Sequence, residues 1–295
     1  MYSRIILYLR LFRVTSWAKN MFVFVPIIFA KQLFIINEFN TVLLGFILFS
    51  LAASLVYIIN DLYDAKKDAL HPLKKNRPIA SGDITSSSAI IIAAVIFLLL
   101  GIFSIRVNLF FTLIIWSYVL LNVLYSSYLK NVVIVDIFCI ALGFMLRVIG
   151  GAVIISVPIS SWLILTTLFL SLFLAVMKRR VEVATSEQPS QQRIVLKDYS
   201  LSFIDQITSI TAGGVIISYA LYSVSDRTIL MFGSDYFVAT TLFVVFGIFR
   251  YMYIVYQKQK GEDVAEALFT DLPMIINTIL YTITVIIFIY NRPNV

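Results

Sequence analysis

Cysteine and histidine are almost missing from this chain: Cys139 and His71 are the only examples in 295 residues. One cysteine excludes a disulfide framework and a thiolate metal cluster, and one histidine excludes most imidazole-ligated centres. Charge is scarce too, with Asp, Glu, Lys and Arg making up 13% of the chain, about half of what soluble domains carry. What is present instead is apolar: 60% hydrophobic residues, 24 Phe and 16 Tyr, and a mean hydropathy of +0.95. Such a surface needs lipid as its solvent, and the composition excludes disorder, collagen and repeat solenoids. The available chemistry is that of carboxylates, amides, hydroxyls and cations.

A helix crosses a hydrocarbon core about 30 Å thick with about 20 apolar residues. Nine segments meet that gauge, at 21–36, 39–59, 86–105, 107–124, 132–155, 161–177, 204–224, 236–256 and 272–290. The expected fold is therefore an all-α, nine-helix membrane bundle in a single domain spanning 1–295. Lys31 interrupts the first segment, and Arg4, Arg10 and Arg13 before it read as an amphipathic interfacial stretch. The basic lead is too long for a cleaved signal peptide, so this segment is read as a retained helix.

The 23 Lys and Arg are unevenly placed: 18 fall in the N-terminal stretch and alternate loops, four on the other side, and Arg147 lies within a segment. The positive-inside rule then puts the N-terminus in the cytoplasm and the C-terminus outside, with the chain multi-pass in an inner (cell) membrane. Among the acids only Glu38, Asp226 and Asp235 fall outside on this assignment. The two long cytoplasmic loops, about 60–85 and 178–203, thus carry both signs of charge. That pattern suits a polar active site, and the plain alternative is two solvated loops.

The first loop reads NDLYDAKKDALHPLKKNRPIASG from Asn60. Helical continuation past Ile59 puts Asn60, Asp61, Asp64 and Asp68 on one face. Three carboxylates on one face repel, and a hard divalent cation removes the repulsion; Mg²⁺ takes one or two of them and completes its shell with water and phosphate oxygens. Lys74 and Arg77 suit the same diphosphate substrate. The alternative is a capped helix end paired with Lys66, Lys67 and Lys74. His71 reads as an interfacial hydrogen-bonding residue, and Pro72 and Pro78 as shaping the loop.

NDLYDAKKD followed by RPIASG resembles the N-D-x-x-D-x-x-x-D and R-P-I-A-S-G signatures of the UbiA superfamily of intramembrane transferases. The resemblance covers nearly the whole chain. It implies a Mg²⁺-complexed diphosphate donor held between two acidic cytoplasmic motifs, and transfer of its organic group to an acceptor in the bundle. Prenyl-transferring members carry a second D-x-x-x-D in the loop after helix 6. Here that segment is AVMKRRVEVATSEQPSQQRIVLKDYS, with Glu182 as the only acid near the helix end beside Lys178, Arg179 and Arg180. Exchanging aspartates for cations implies a more anionic donor or an anionic acceptor.

That departure resembles the decaprenyl-phosphate phosphoribosyltransferase-like branch, as do RVTSWAKNMFVFVP at 13–26, YSSYLKN at 125–131, LRVIGGA at 146–152 and KRRVE at 178–182. The branch implies transfer of 5-phosphoribose from phosphoribosyl pyrophosphate to a polyprenyl phosphate for a cell-envelope glycan, and no nucleic-acid partner. A lipid phosphate is already an oxyanion, so no general base is required. On this resemblance Asp61, Asp64 and Asp68 hold Mg²⁺ and the donor pyrophosphate, with Asn60 as a neutral ligand or ribose contact. Lys19, Lys130, Lys178 and Arg179 bind the donor 5-phosphate or the lipid phosphate, Glu182 binds a ribose hydroxyl or supports the metal, and Tyr125 stands beside the motifs. For each cation the alternative is topogenic charge or headgroup attraction.

Arg147 within a membrane segment costs about 2.5–3.5 kcal/mol on insertion scales, so it must face inward and find a partner. A phosphate, an internal pair with Asp136, or snorkelling are the three readings. Gly150 and Gly151 beside it permit close helix packing, and Arg250 is read as snorkelling to the interface. GEDVAEALFTD at 261–271 reads as a solvated loop, with a lid as the alternative. Two rival functions remain: prenyl transfer to an aromatic or other acceptor, and a transporter or lipid-binding protein.

The charge asymmetry predicts topology directly. Alkaline phosphatase fused after Val295 is expected to be active, and the same reporter inserted at Gly82 inactive; the reverse pattern inverts the orientation.

Overall fold

The structure, a computed structural model, describes residues 2–70, 74–185, 194–233, 235–258 and 270–290. His71, Pro72, Glu262, Asp263 and Glu266 lie outside the described residues. Regular structure among the described residues is helical throughout. Eight helices are long and apolar enough to cross a bilayer, and a ninth crossing arises if the bent pair Arg4–Leu11 and Val14–Phe29, with 51° between them, forms one span.

The chain divides into two compact units, Met1–Leu129 with Leu146–Pro158, and Lys130–Met145 with Ile159–Val295. In the first, α1 (Tyr2–Leu11), a 3-10 segment (Val14–Phe24) and α2 (Val25–Phe29) lead to α3 (Ile36–Asp68), α4 (Ser86–Val107) and α5 (Leu109–Ser127). Helix α6 (Val135–Ile154) starts in the second unit and ends in the first. The second unit adds α7 (Ser161–Thr185), α8 (Leu201–Ser223), α9 (Asp226–Phe232), α10 (Thr241–Lys258) and α11 (Leu272–Tyr290).

Helix ends follow local chemistry. Thr85 caps α4 by accepting from the Ser88 N–H at 3.2 Å, and Ser200 caps α8 by accepting from the Phe203 N–H at 3.2 Å. Asn108 makes the whole turn between α4 and α5: it is extended, donates its N–H to the Ser104 carbonyl, and accepts from the Phe110 N–H at 2.7 Å. Each cap satisfies a donor that lipid would leave bare.

The first span differs from its expected bounds. Instead of one helix over 21–36, an eleven-residue 3-10 segment runs into α2, which ends at Phe29. Pro26 sits in the first turn of α2, where its missing N–H leaves no intrahelical bond unmade. Lys31, at φ 58°, then turns the chain out of the helix. Arg13, expected on an interfacial stretch, occupies the break between α1 and the 3-10 segment, also left-handed at φ 49°. Two other helices run further than the apolar gauge, α3 to Asp68 and α7 to Thr185, so both motifs sit on helical extensions and not in loops.

In the first unit α3 packs on α4, α5 and the 3-10 segment around Phe49, which meets Phe111 and Tyr118 edge-on at 5.9 and 5.6 Å. Close approach is possible because Gly150 leaves space for the Phe49 ring and Gly151 for the Val23 carbonyl. In the second unit α7 lies along α8, and α10 packs on α8 and α11. Buried Phe173, Met177, Val215, Tyr251 and Val255 form one core there, and Ile137, Ala141, Val176, Val195 and Ile204 another.

A Cβ on Gly151 would lie 2.0 Å from the Val23 carbonyl oxygen, which is backbone and cannot rotate away. Gly151→Ala is expected to cost about 2 kcal/mol or more. Gly101→Ala, where nothing lies within 4 Å, serves as the matched control and should be near neutral. A thiol-reactive dye on buried Cys139 reads unfolding in detergent, since no other thiol exists.

Candidate functional site

A polar strip runs along one face of α3 in the first unit. Ser50, Ser54, Tyr57 and Asp61 recur at helical spacing, and the chain from Phe12 to Asn20 answers each of them. Asn20 donates from Nδ2 to Ser50 Oγ at 3.0 Å, and Trp17 donates from Nε1 to Ser54 Oγ at 3.1 Å. Ser54 Oγ donates to the Phe12 carbonyl at 2.9 Å. The Arg13 guanidinium lies over the Tyr57 ring, 4.5 Å from its centre, and donates from NH2 to Asp61 Oδ1 at 2.5 Å.

Arg147 joins this strip from α6. Its Nε donates to Asn20 Oδ1 at 2.6 Å and its NH2 to the Tyr118 hydroxyl at 2.8 Å, with Tyr118 also beneath its guanidinium. The side chain thus faces inward, as its cost demanded. Of the three readings, snorkelling does not describe this inward-facing side chain; Asp136, the alternative partner, has its two oxygens on Arg179 and Tyr199.

At the end of α3 all four motif residues are helical, but they divide into two kinds. Asp61 and Asp68 are buried, and Asn60 and Asp64 are partly exposed. Arg77 NH1 bridges Asp61 Oδ1 at 3.1 Å and Asp68 Oδ2 at 2.6 Å, so Asp61 receives two arginines. Asp64 makes no ion pair among the described residues. Nor do the described residues contain a group of three carboxylates, histidines or cysteines close enough to hold a metal ion by themselves. Lys74 is half-buried close by in sequence and Lys19 is exposed.

The second unit carries its own charged centre. Asp136 at the start of α6 and Arg179 on α7 are both fully buried, and Arg179 Nε donates to Asp136 Oδ2 at 2.7 Å. Tyr199 donates its hydroxyl to Asp136 Oδ1 at 2.7 Å and accepts the Ile134 N–H at 2.7 Å. Ile134 is held at φ 70°, a conformation that a β-branched residue keeps only when its surroundings force it. Burial pushes the Tyr199 hydroxyl well above its ordinary pKa; the Ile134 N–H opposes the shift and the bond to Asp136 adds to it. Arg179 NH1 also pairs with Glu182 one turn on. Arg179, expected at a phosphate, therefore presents no surface to a ligand, and its evident work is to hold Glu182. Arg180 pairs with Asp205 at 2.8 Å and covers the Tyr256 ring at 3.6 Å.

Lys178, Lys130 and Tyr125 are partly exposed. Arg250, read as snorkelling, instead grips Asp271 through Nε and NH2 at 2.8 and 2.9 Å. Ser50, Ser54, Tyr57, Tyr118 and Tyr199 were passed over in the sequence reading, and Arg13, Trp17 and Asn20 were quoted within RVTSWAKNMFVFVP without a role in the site. The regular spacing of Ser50, Ser54, Tyr57 and Asp61 was a usable signal, as was the 13–26 string; nothing local marked Tyr118 or Tyr199.

Comparison with known proteins adds a lineage to this geometry. Residues 21–277 match the profile described as the UbiA prenyltransferase family. The decaprenyl-phosphate phosphoribosyltransferase of Mycolicibacterium smegmatis is 31% identical over 225 residues, covering 73% of this chain and 70% of that one. The protein of the same description from Mycobacterium tuberculosis is 29% identical over 218 residues, 72% of each chain. In fold, the chain resembles a UbiA homologue from Archaeoglobus fulgidus solved with GPP and Mg²⁺, at a TM-score of 0.69 and 17% identity, covering 97% of this chain and 98% of that one.

Removing Arg179 leaves Asp136 as a buried, unmatched charge. Arg179→Ala is expected to destabilise by about 3–5 kcal/mol, and Tyr199→Phe by about 1–2 kcal/mol. Exposed Lys197→Ala should stay within about 0.5 kcal/mol. Unfolding read at Cys139 checks all three, and near-neutral behaviour of Arg179→Ala would show that the pair contributes little.

Proposed function

Since the chain belongs to the UbiA prenyltransferase family and is thereby a multi-pass membrane transferase, we propose that it transfers 5-phosphoribose from phosphoribosyl pyrophosphate to a polyprenyl phosphate. The observation that carries this reading is at the end of α7. Where prenyl-transferring members are expected to place a second acidic motif, the chain has a single acid, Glu182, and that acid is held by Arg179. Among the described residues, the first acidic stretch is the one that groups several carboxylates at helical spacing, and it is the stretch suited to a metal-bound diphosphate. The relatives described as decaprenyl-phosphate phosphoribosyltransferases support the same choice.

The donor set fits Mg²⁺. Asp64 has no ion pair among the described residues, Asn60 lies one turn before it, and Asp61 and Asp68 share their face, all oxygen ligands of the kind a hard cation prefers. Bound there with the donor, the ion would neutralise charge on the departing pyrophosphate. Arg77 and Lys74 bind the pyrophosphate oxygens, and Lys130, Lys178 and Lys19 receive the 5-phosphate or the lipid phosphate. Tyr125 lines the acceptor side, and Arg147 holds the strip that carries Asn20 in place. Glu182, fixed by Arg179, accepts a hydrogen bond from a ribose hydroxyl.

The bond from ribose C1 to the pyrophosphate oxygen breaks, and an oxygen of the lipid phosphate bonds to C1. Pyrophosphate leaves with the electron pair and no proton moves. A chain with one histidine can therefore do this chemistry, whereas prenylation of an aromatic ring must also remove a ring proton. The charge asymmetry supports a donor site on the cytoplasmic side of a cell membrane.

Labelled phosphoribosyl pyrophosphate and a polyprenyl phosphate, incubated with detergent-purified protein, are expected to give labelled lipid with Mg²⁺ and none with EDTA. Asp64→Ala should lower the rate on the order of a hundredfold. No labelled lipid, together with Mg²⁺-dependent consumption of a prenyl diphosphate in a parallel reaction, would make the protein a prenyltransferase.

A further inference from the structure

The first acidic stretch is already neutralised from within. Asp61 and Asp68 expose 2% and 5% of their side chains, while the arginines that cover them, Arg13 and Arg77, expose 26% and 25%. A solute approaching these carboxylates from water therefore meets guanidinium groups first. A lone divalent cation is repelled by that surface. A diphosphate is attracted to it, because each guanidinium fork matches a pair of phosphate oxygens.

The two arginines reach the stretch from opposite directions in sequence. Arg77 comes from the loop beyond α3, next to Pro78, and its NH1 spans both carboxylates. Arg13 comes from the break between α1 and the 3-10 segment, where its backbone is left-handed, and its guanidinium rests on the Tyr57 ring. Nothing in α1 or the 3-10 segment requires an arginine there, and a topogenic charge would be free to point into the headgroups. Its side chain turns inward to Asp61 instead.

We propose that Arg13 and Arg77 form a charge latch that makes metal binding conditional on the diphosphate. With no donor present they occupy Asp61 and Asp68 and keep single cations out. When the donor arrives, the guanidinium groups exchange carboxylate oxygens for diphosphate oxygens, and the freed carboxylates become available to the cation that accompanies it. Arg13 is thus a donor-binding residue, which its place in a basic N-terminal stretch concealed. The exchange rests on the diphosphate-donor reading above; the exclusion of lone cations does not.

The test uses Mn²⁺ as the probe, its free signal followed by electron paramagnetic resonance, on the full chain in detergent with and without inorganic pyrophosphate. Arg13→Gln is expected to tighten Mn²⁺ alone about tenfold and to weaken Mn²⁺ with pyrophosphate about tenfold. These opposite signs separate a latch from a structural role, since a merely damaged site weakens both. Arg13→Lys keeps the charge and loses the fork; it should shift each affinity in the same direction as Arg13→Gln does, Mn²⁺ alone tighter and Mn²⁺ with pyrophosphate weaker, by about threefold, and it carries the comparison if Arg13→Gln fails to fold. An unchanged or weakened affinity for Mn²⁺ alone, in a wild type that retains Mn²⁺ with pyrophosphate, overturns the latch and leaves the donor reading standing. A wild type that never retains Mn²⁺ with pyrophosphate overturns the donor reading and the exchange with it.

Discussion

Lipid offers no hydrogen bonds, so a polar group taken below the membrane surface costs free energy unless another part of the same chain answers it. The strip on α3 meets this demand at each step. Ser50, Ser54, Tyr57 and Asp61 face the chain from Phe12 to Asn20, and each finds a partner there. The long 3-10 segment follows from the same demand. Its winding differs from the 3.6-residue turn of α3, and with it Arg13, Trp17 and Asn20 all reach the α3 face. Gly151, pressed against the Val23 carbonyl, lets α6 come close enough for Arg147 to reach Asn20.

Buried charge in the second unit obeys a stricter form of that rule. Asp136 and Arg179 have no exposed surface, so each must be matched in charge and also in its remaining hydrogen bonds. Tyr199 supplies the second bond to Asp136, and its hydroxyl in turn takes the N–H of a backbone held in an unfavourable conformation at Ile134. Glu182 is fixed as a by-product, through the remaining side of the Arg179 guanidinium. A cationic string that looks like a phosphate cradle in sequence is therefore partly an internal brace. Arg179 and Arg180 are committed to carboxylates, and Lys178 and Arg180 are partly exposed.

Most of the fold was legible along the chain. Apolar length alone located the helices, because a bilayer imposes a minimum span that soluble folds do not. Apolar length alone stops short where polar residues continue a helix: α3 runs on through Asp61, Asp64 and Asp68, as the spacing of its acids indicated, and α7 runs on through Lys178 to Glu182. It also misjudged the first span, whose 3-10 winding and bend at Arg13 come from packing and leave no mark in hydropathy. The acidic stretch was visible because four oxygen-bearing residues at helical spacing form a local pattern. Arg77 was visible in the same string, but Arg13 was not, since it stands 48 positions from Asp61 and looks like any other basic residue near a membrane.

By itself the sequence determined the solvent, the number of apolar spans to within one, the acidic face of α3 and the lineage, all of which depend on composition or on residues close together in the chain. Tertiary structure decided which charges are available. Arg147 turned to Asn20 and Tyr118, Asp136 to Arg179 and Tyr199, and Arg250 to Asp271. Pairing of charges is a matter of distance and dielectric, and both are set only when remote segments pack together.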